Sequence, residues 1–329
     1  MIQMDILEVK NLRAYYFTRG GIVKAVDGVD LYIDRKVIIG IVGESGCGKS
    51  TLARVLSMDI EPPLKLVSGD IAIEGIKVSD MSLSEIKRKI AGIKIALVPQ
   101  SAMNALVPTV RIKDFIRDVV KEKLNYSVKE ILKLAKERFE ELNLPLTALD
   151  MYPFELSGGM RQRALIAIAT LLNPTILIAD EPTSALDVST QKMVLETLFN
   201  IYKRNLVKSI LFISHDIATV RQIAEMITVM YAGKIVEIGS TGQLINEPLH
   251  PYSRGLLFSI LTPEPQIRER VEKVETFILK GEPPSLISPP SGCRFHPRCP
   301  YAMDICRRKE PPLIEVEKHR FVSCWLYMQ

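Results

Sequence analysis

The sequence predicts an α/β protein built on a largely parallel sheet, with an antiparallel β layer, an inserted helical subdomain and a small cysteine-bearing C-terminal domain. Three observations carry that expectation. Short apolar runs, VIIGIVG (Val37 to Gly43), TILIAD (Thr175 to Asp180) and SILFISH (Ser209 to His215), alternate with helical stretches, the pattern of strands buried on both faces between crossover helices. The glycine-rich GESGCGKST (Gly43 to Thr51) follows the first run directly. Four of the five cysteines lie beyond residue 290, after a stretch in which proline becomes frequent.

Each element follows from local pattern. From Met4 to about Ile39, DILEVKNL and AVDGVDLYI alternate apolar and polar residues around the turn-prone TRGG (Thr18 to Gly21), which predicts paired antiparallel strands. VIIGIVG is too short for a helix, and STLARVLSM after it has helical periodicity, so the order there is strand, loop, helix. IKIALVPQ (Ile93 to Gln100) is another buried strand. Between about Ser101 and Asn173 helical patterns take over. In SVKEILKLAKERFEELNL the apolar residues recur at three- and four-residue steps, as an amphipathic helix requires. TILIAD and SILFISH return to strand, with the helix TQKMVLETLFNIYKRN between them, and MITVMYAGKIVEIG (Met226 to Gly239) again has strand character. Past Gly242 the composition shifts to NEPLHPYSRGLL and then GEPPSLISPPSG, so one domain is expected over 1–242, its helical subdomain at about 101–173, and a second over 243–329.

Composition narrows the class. With 47% hydrophobic and 25% charged residues the 329-residue chain reads as ordinary globular protein. A formal charge of +5 is small over that length and decides nothing about partners. The most apolar stretch, ALIAIATLLNPTILIAD, is interrupted at Asn173-Pro174, short of the roughly 20 uninterrupted residues of a spanning helix. The start, MIQMDILEVKNLRAYYF, lacks the basic, apolar and small-residue order of a signal peptide, so a cytosolic chain is expected. In that reducing compartment clustered cysteines point to metal or redox chemistry before disulfides.

GESGCGKST fits G-x-x-x-x-G-K-[ST] between a strand and a helix, the context in which backbone N–H groups cradle phosphates. Gly43, Ser45, Gly46, Cys47, Gly48, Lys49, Ser50 and Thr51 are the candidate cradle; Lys49 would charge-pair the β/γ-phosphates and Ser50 would ligate Mg²⁺. TILIADEP supplies what a cradle lacks. Asp180 ends a strand at the edge where open α/β sheets bind ligands; it would hold the metal, and Glu181 would take a proton from attacking water. Gln100, after ALVPQ, could reach Mg²⁺ or the water, and His215, after ILFIS, could donate to the γ-phosphate. LSGGMRQR (Leu156 to Arg163) opens a helix on a serine and two glycines, a second anion-binding N-terminus that one nucleotide hardly needs.

The ordered set GESGCGKST, Gln100, LSGGM, ILIADEP, SALD (Ser184 to Asp187) and His215 resembles the ATP-binding cassette of ABC transporters over about residues 4 to 242. Met160 stands where most cassettes have Gln, a departure shared by the peptide-importer subgroup. The resemblance implies a P-loop ATPase whose cassettes pair head to tail, with Ser157, Gly158 and Gly159 acting on the partner's γ-phosphate and Asp187 linking the two sites. It also implies an adenine-stacking aromatic at Tyr16, with adjacent Tyr15 left as the alternative.

EPLHPYSRGLL and SGCRFHPRCPYAMDICRR resemble the C-terminal extension of ATPases that serve dipeptide and oligopeptide importers, with His250, Pro251 and Tyr252 as its opening motif. Relatives of that kind also import nickel or short oligosaccharides. Implied partners are two membrane permease subunits, a second ATPase subunit or a second copy of this chain, and an extracytoplasmic substrate-binding protein; nucleic acid is not among them. The implied location is the cytoplasmic face of the membrane. Cys293, Cys299, Cys306 and Cys324 are spaced C-x5-C-x6-C-x17-C, without the close pairs of structural zinc sites. Four thiolates suit zinc or an iron–sulfur cluster; the resemblance favours a four-iron four-sulfur cluster, with reduced thiols around a small core as the plainer alternative. His296 is expected to be structural, and Cys47 a small residue tolerated in its loop. Arg294, Arg298, Arg307, Arg308 and Lys309 raise a rival, a basic nucleic-acid module on an ATPase, but the chain lacks the long coiled coils or the second cassette of such proteins. A regulatory subunit that binds ATP without turning it over is countered by Glu181 and His215.

Overall fold

A computed structural model of the protein describes residues 5–100, 105–121, 126–258 and 279–328. Residues 101–104, which open the expected helical insertion, and 259–278, inside the expected extension, lie outside the described residues.

Two sheets form the frame. The smaller one is the antiparallel layer: β1 (Leu7–Thr18), β2 (Gly21–Ile33), β4 (Leu64–Ile73) and β5 (Ile76–Lys77), in the order β2-β1-β4-β5. Leu7, Val9, Leu12 and Ala14 turn inward and are buried, with a shift in register around Asn11. The larger sheet has the order β11-β12-β10-β9-β3-β8-β7-β6. Its parallel part is β3 (Ile38–Val42), β6 (Ile95–Val98), β7 (Ile176–Asp180), β8 (Ser209–Ile213) and β9 (Met226–Tyr231). Every residue of β3, β7 and β8 is buried, as expected of uninterrupted apolar runs covered on both sides.

The stretch 226–239 is two strands rather than one. β9 turns at Ala232 and Gly233, both at positive φ (46° and 82°), into β10 (Lys234–Ser240), pairing Tyr231 with Lys234. Two residues in the left-handed region make the tight turn that matches strand twist. The apolar residues on either side mask this break in the sequence. β10 therefore runs antiparallel, and β11 (Ile314–Glu317) and β12 (Arg320–Val322) from the tail continue the sheet beyond it.

Helices cover the sheet. α1 (Lys49–Leu56) follows β3; α2 (Leu83–Lys89) is closed by a Ser82–Glu85 capping box. Among the described residues the insertion carries α3 (Ile112–Lys121), α4 (Val128–Glu141) and α5 (Gly158–Ala169), and its core includes Ile112, Ile116, Ile131, Ala135 and Phe139. α6 (Val188–Lys203) lies between β7 and β8 in the chain. Among the described residues four shorter helices follow: α7 (Ile217–Val220), α8 (Thr241–Asn246), α9 (Pro251–Phe258) and α10 (Asp304–Arg308).

The tail is locked to the sheet by a buried acid and an aromatic plug. Glu237 on β10 is 0% exposed and accepts the N–H groups of Leu249 and His250 at 2.8 and 2.9 Å. Phe295 packs against the rings of Tyr231, Tyr252 and His250. Truncating such a buried ring typically costs about 3–5 kcal/mol, so this contact alone ties the tail firmly to the cassette.

Candidate nucleotide site

β3 ends at Val42, and six residues carry the chain into α1. The turn closes tightly on β2: a Cβ added to Gly48 (φ 110°) would stand 2.0 Å from the Ala25 carbonyl oxygen. Only glycine satisfies both the backbone and the space. Ser45 and Gly46 remain exposed at the tip, while Cys47 is buried. The Lys49 ammonium donates to the carbonyls of Gly43 (2.7 Å) and Glu44 (3.0 Å), with the Cys47 sulfur 3.8 Å away. Cys47 thus packs inside the loop, as a small residue should.

The Ser50 hydroxyl donates to Asp180 Oδ1 at 3.2 Å. Asp180 is only 5% exposed, and burial pushes its carboxyl above the usual range; the Ser50 hydrogen bond and the Lys49 charge oppose that rise, while Glu181 adds to it. A buried carboxyl beside a hydroxyl, both hard oxygen donors, fits a divalent cation whose charge would offset the desolvation.

Next to it Glu181 adopts φ 46°, the left-handed region. Its Oε2 accepts from Gln100 Nε2 at 3.0 Å, and its Oε1 faces His215 Nδ1 at 3.0 Å. These three residues follow β6, β7 and β8, which are neighbours in the sheet and end on the same edge. Sequence pattern singles out each one, and strand order brings them into one chain of contacts.

The two tyrosines separate. Tyr16 places its hydroxyl 3.2 Å from the Thr51 hydroxyl of α1. Tyr15 instead donates to Asp27 at 2.5 Å, and burial together with that carboxylate pushes its phenol up to about 12. Tyr16 is therefore the one that faces the loop helix.

α5 begins at Gly158, capped by Ser157, whose hydroxyl accepts the Met160 N–H at 3.3 Å. Ser157 and Gly158 are exposed, whereas Gly159 is buried against the start of α6, where an added Cβ would lie 2.3 Å from Thr190 Cγ2. Asp187 caps α6, accepting the Thr190 N–H (3.0 Å) and the hydroxyls of Thr190 (2.6 Å) and Ser189 (2.5 Å); these bonds hold its carboxyl well below the usual range. Two helix N-termini stand side by side. Among the described residues, no hydrogen bond or ion pair joins Ser157, Gly158 or Gly159 to Lys49, Ser50, Asp180 or Glu181.

Pattern reading missed one set of residues at the loop. The Arg298 guanidinium grips both carboxylate oxygens of Glu44, and the Tyr252 hydroxyl accepts the Glu44 N–H. The partners lie 208 and 254 residues away in the chain, too far for any local signal, although Tyr252 stands in the HPY motif. Arg294 is likewise committed, to Asp27 and to the Ala232 carbonyl. Two of the five basic tail residues are thus internal clasps and not part of an open basic surface.

In the tail, Cys306 and Cys324 are buried, Cys293 and Cys299 half-buried, and all are free thiols. Cys293 donates its N–H to the Cys306 carbonyl at 2.8 Å. Burial is the main cause that pushes the thiols of Cys293, Cys299 and Cys324 up to about 11, and each also feels the charge of others in the set. Among the described residues, no three His, Cys, Asp or Glu side chains converge as a group that could hold a metal ion. His296 faces the Cys293 carbonyl at 2.9 Å through Nδ1, a structural role. No helix among the described residues is long and apolar enough to cross a membrane.

Comparison with known proteins gives the same picture at the scale of the chain. A family model described as ABC transporter matches residues 26–184, and one described as the oligopeptide/dipeptide transporter C-terminal region matches 236–306. The chain is 42% identical to the dipeptide transport ATP-binding protein DppD of Caldanaerobacter subterraneus, over 98% of this chain and 97% of that protein. It is 38% identical to the oligopeptide transport ATP-binding protein AppF of Bacillus subtilis, over 99% of this chain and 98% of that one. Among solved structures, the dimeric cassette MJ0796 in a post-hydrolysis state with ADP and Pi is similar at a TM-score of 0.63 and 28% identity, across 71% of this chain and 98% of that chain. The chain belongs to the ATP-binding cassette proteins of ABC transporters, in the group that carries the oligopeptide/dipeptide transporter C-terminal region.

Proposed function

We propose that the protein is the ATP-hydrolysing subunit of an importer for dipeptides or oligopeptides. It works at the cytoplasmic face of the membrane, against two permease subunits, paired with a second cassette and supplied by an extracytoplasmic substrate-binding protein. One observation carries the catalytic part: Glu181 is held from both sides by Gln100 and His215, next to the Ser50–Asp180 pair. The names of full-length relatives support the peptide cargo.

In this reading Gly43, Ser45, Gly46, Cys47, Gly48 and Thr51 shape a loop whose N–H groups hold phosphates, and Tyr16 stacks on the adenine. Lys49 exchanges its two carbonyl partners for phosphate oxygens. Ser50, Asp180 and Gln100 hold Mg²⁺, which when bound offsets phosphate charge. Glu181 accepts the proton of the attacking water, and Gln100 and His215 fix its direction; His215 also donates to the γ-phosphate. Ser157, Gly158 and Gly159 serve the partner's nucleotide, with Asp187 between the sites. The cassette spans 1–242 and the extension 243–329.

Cys293, Cys299, Cys306 and Cys324 hold a four-iron four-sulfur cluster in the second part of the reading. What supports it is the presence of four soft, free, partly or fully buried thiols in one lobe, with Cys293 and Cys306 joined through the backbone at 2.8 Å, although among the described residues the side chains are not drawn together as a metal-holding group. Three of them start as protonated thiols at neutral pH, so loading releases protons and strengthens as pH rises.

The test is uptake. The full chain, co-expressed with its permeases and reconstituted in vesicles with the binding protein, is expected to hydrolyse ATP and accumulate labelled di- to pentapeptides but not nickel or cellobiose. Accumulation of nickel or the sugar instead would overturn the cargo. Iron and acid-labile sulfide measured on the same anaerobic preparation are expected near four of each per chain; one zinc without iron would overturn the cluster.

A further inference from the structure

The second residue of the glycine-rich loop, Glu44, is held by side chains far along the chain. Arg298 donates through its two terminal nitrogens to the Glu44 carboxylate, at 2.7 Å to Oε2 and 3.0 Å to Oε1. The Glu44 N–H donates to the Tyr252 hydroxyl at 2.8 Å. Both holders are themselves fixed. Tyr252 is 0% exposed, and the Arg298 side chain is 6% exposed, with its Nε on the Lys280 carbonyl at 3.0 Å and the Tyr231 ring below its guanidinium. A planar fork on a carboxylate sets direction as well as distance.

Two physical effects follow. The Glu44 carbonyl accepts the Lys49 ammonium at 3.0 Å and the Cys47 N–H at 3.3 Å, so holding Glu44 fixes the carbonyl on which Lys49 rests. Charge is the second effect. A carboxylate within a loop that receives polyphosphate repels its ligand, and in a partly buried site that repulsion is poorly screened. The fork neutralises it.

The geometry points to Arg298 as a positioning residue of the nucleotide site: it neutralises Glu44 and, with Tyr252, sets the entry of the phosphate loop, so that the cassette's affinity for ATP depends on the C-terminal extension. The inference rests on the reading of residues 43–51 as an ATP site. Arg298 closes the turn His296–Arg298 between Cys293 and Cys299, so the fold of the cysteine lobe reaches the nucleotide through one guanidinium.

The experiment uses the full chain, titrated with the fluorescent analogue mant-ATP and Mg²⁺, alongside KM and kcat for ATP, with circular dichroism as a check on folding. Arg298→Ala is expected to raise Kd and KM about tenfold, by leaving a carboxylate unpaired near the phosphates, with kcat little changed. Adding Glu44→Gln to Arg298→Ala is expected to recover most of the loss, and Arg298→Lys only part of it, because an ammonium keeps the charge but not the fork. A merely structural arginine would not be rescued by neutralising its partner. Unchanged affinity in Arg298→Ala, or a double variant as weak as the single one, overturns the inference. Should Arg298→Ala fail to fold, unaltered Kd in both Arg298→Lys and Glu44→Gln does the same. If the unmodified chain does not bind mant-ATP, the nucleotide reading itself fails instead.

Discussion

Glu181 sits in a backbone conformation that few non-glycine residues adopt, at a cost on the order of 1 kcal/mol or more. That turn, directly after buried β7, aims the carboxylate between Gln100 and His215. Replacing Glu181 with Gln keeps shape and hydrogen-bonding reach but removes the proton acceptor. Phosphate release is expected to fall by about 10²–10⁴-fold, with mant-ATP affinity retained; turnover near the unmodified rate would take Glu181 out of the role of base. Each member of this set was legible as the residue just past an apolar run. Their mutual contacts were not, because they depend on β6, β7 and β8 lying side by side, which no local pattern states. The choice between Tyr15 and Tyr16 shows the same limit. Adjacent residues on a strand face opposite sides, and only the pairing of β1 decides which side meets α1.

At the scale of elements, the joint between cassette and tail turns on Glu237 and His250. His250 is fully buried, and its Nδ1 accepts the Tyr252 N–H at 3.0 Å. Burial first, and the Arg254 charge second, lower its pKa from 6.5 to about 3. The unfolded chain takes up this proton below about 6.5, while the folded one resists until about 3. Stability from this group is therefore complete above the upper value and falls as pH drops through the window, by up to about 1.4 kcal/mol per pH unit. The thermal midpoint of the unmodified chain is expected to decline between pH 6.5 and 5, above the range where most carboxylates titrate. His250→Gln should flatten that decline; an equal slope in the variant would assign it elsewhere. The larger elements were legible, since long apolar runs and amphipathic helices announce themselves. β11 and β12 were not: strands of four and three residues carry too little alternation to be read, and only the pairing of β12 with β10 and of β11 with β12 defines them.

The single chain gathers Lys49, the Ser50–Asp180 pair and Glu181, yet Ser157 and Gly158 stand exposed and, among the described residues, share no hydrogen bond with any of them. The N-terminus of α5 carries the partial positive charge of twelve aligned residues, and its neighbour α6 is already capped by Asp187. A second cassette placed head to tail would bring each α5 N-terminus onto the other's nucleotide, a closed two-fold arrangement that uses the same surface twice. ATP would then be part of the interface, and its γ-phosphate the part that hydrolysis removes. In the slow Glu181→Gln background, Mg-ATP is expected to shift the chain from monomer to dimer in light scattering, while ADP leaves it monomeric. Gly158→Asp added to that background puts a carboxylate where the phosphate must arrive, so the dimer should be lost while each monomer still binds mant-ATP with its former affinity. A monomer that stays single with Mg-ATP would leave only a pairing with a non-identical cassette. If Gly158→Asp instead weakens binding to the isolated monomer, the α5 N-terminus serves its own nucleotide, and head-to-tail pairing loses its physical reason.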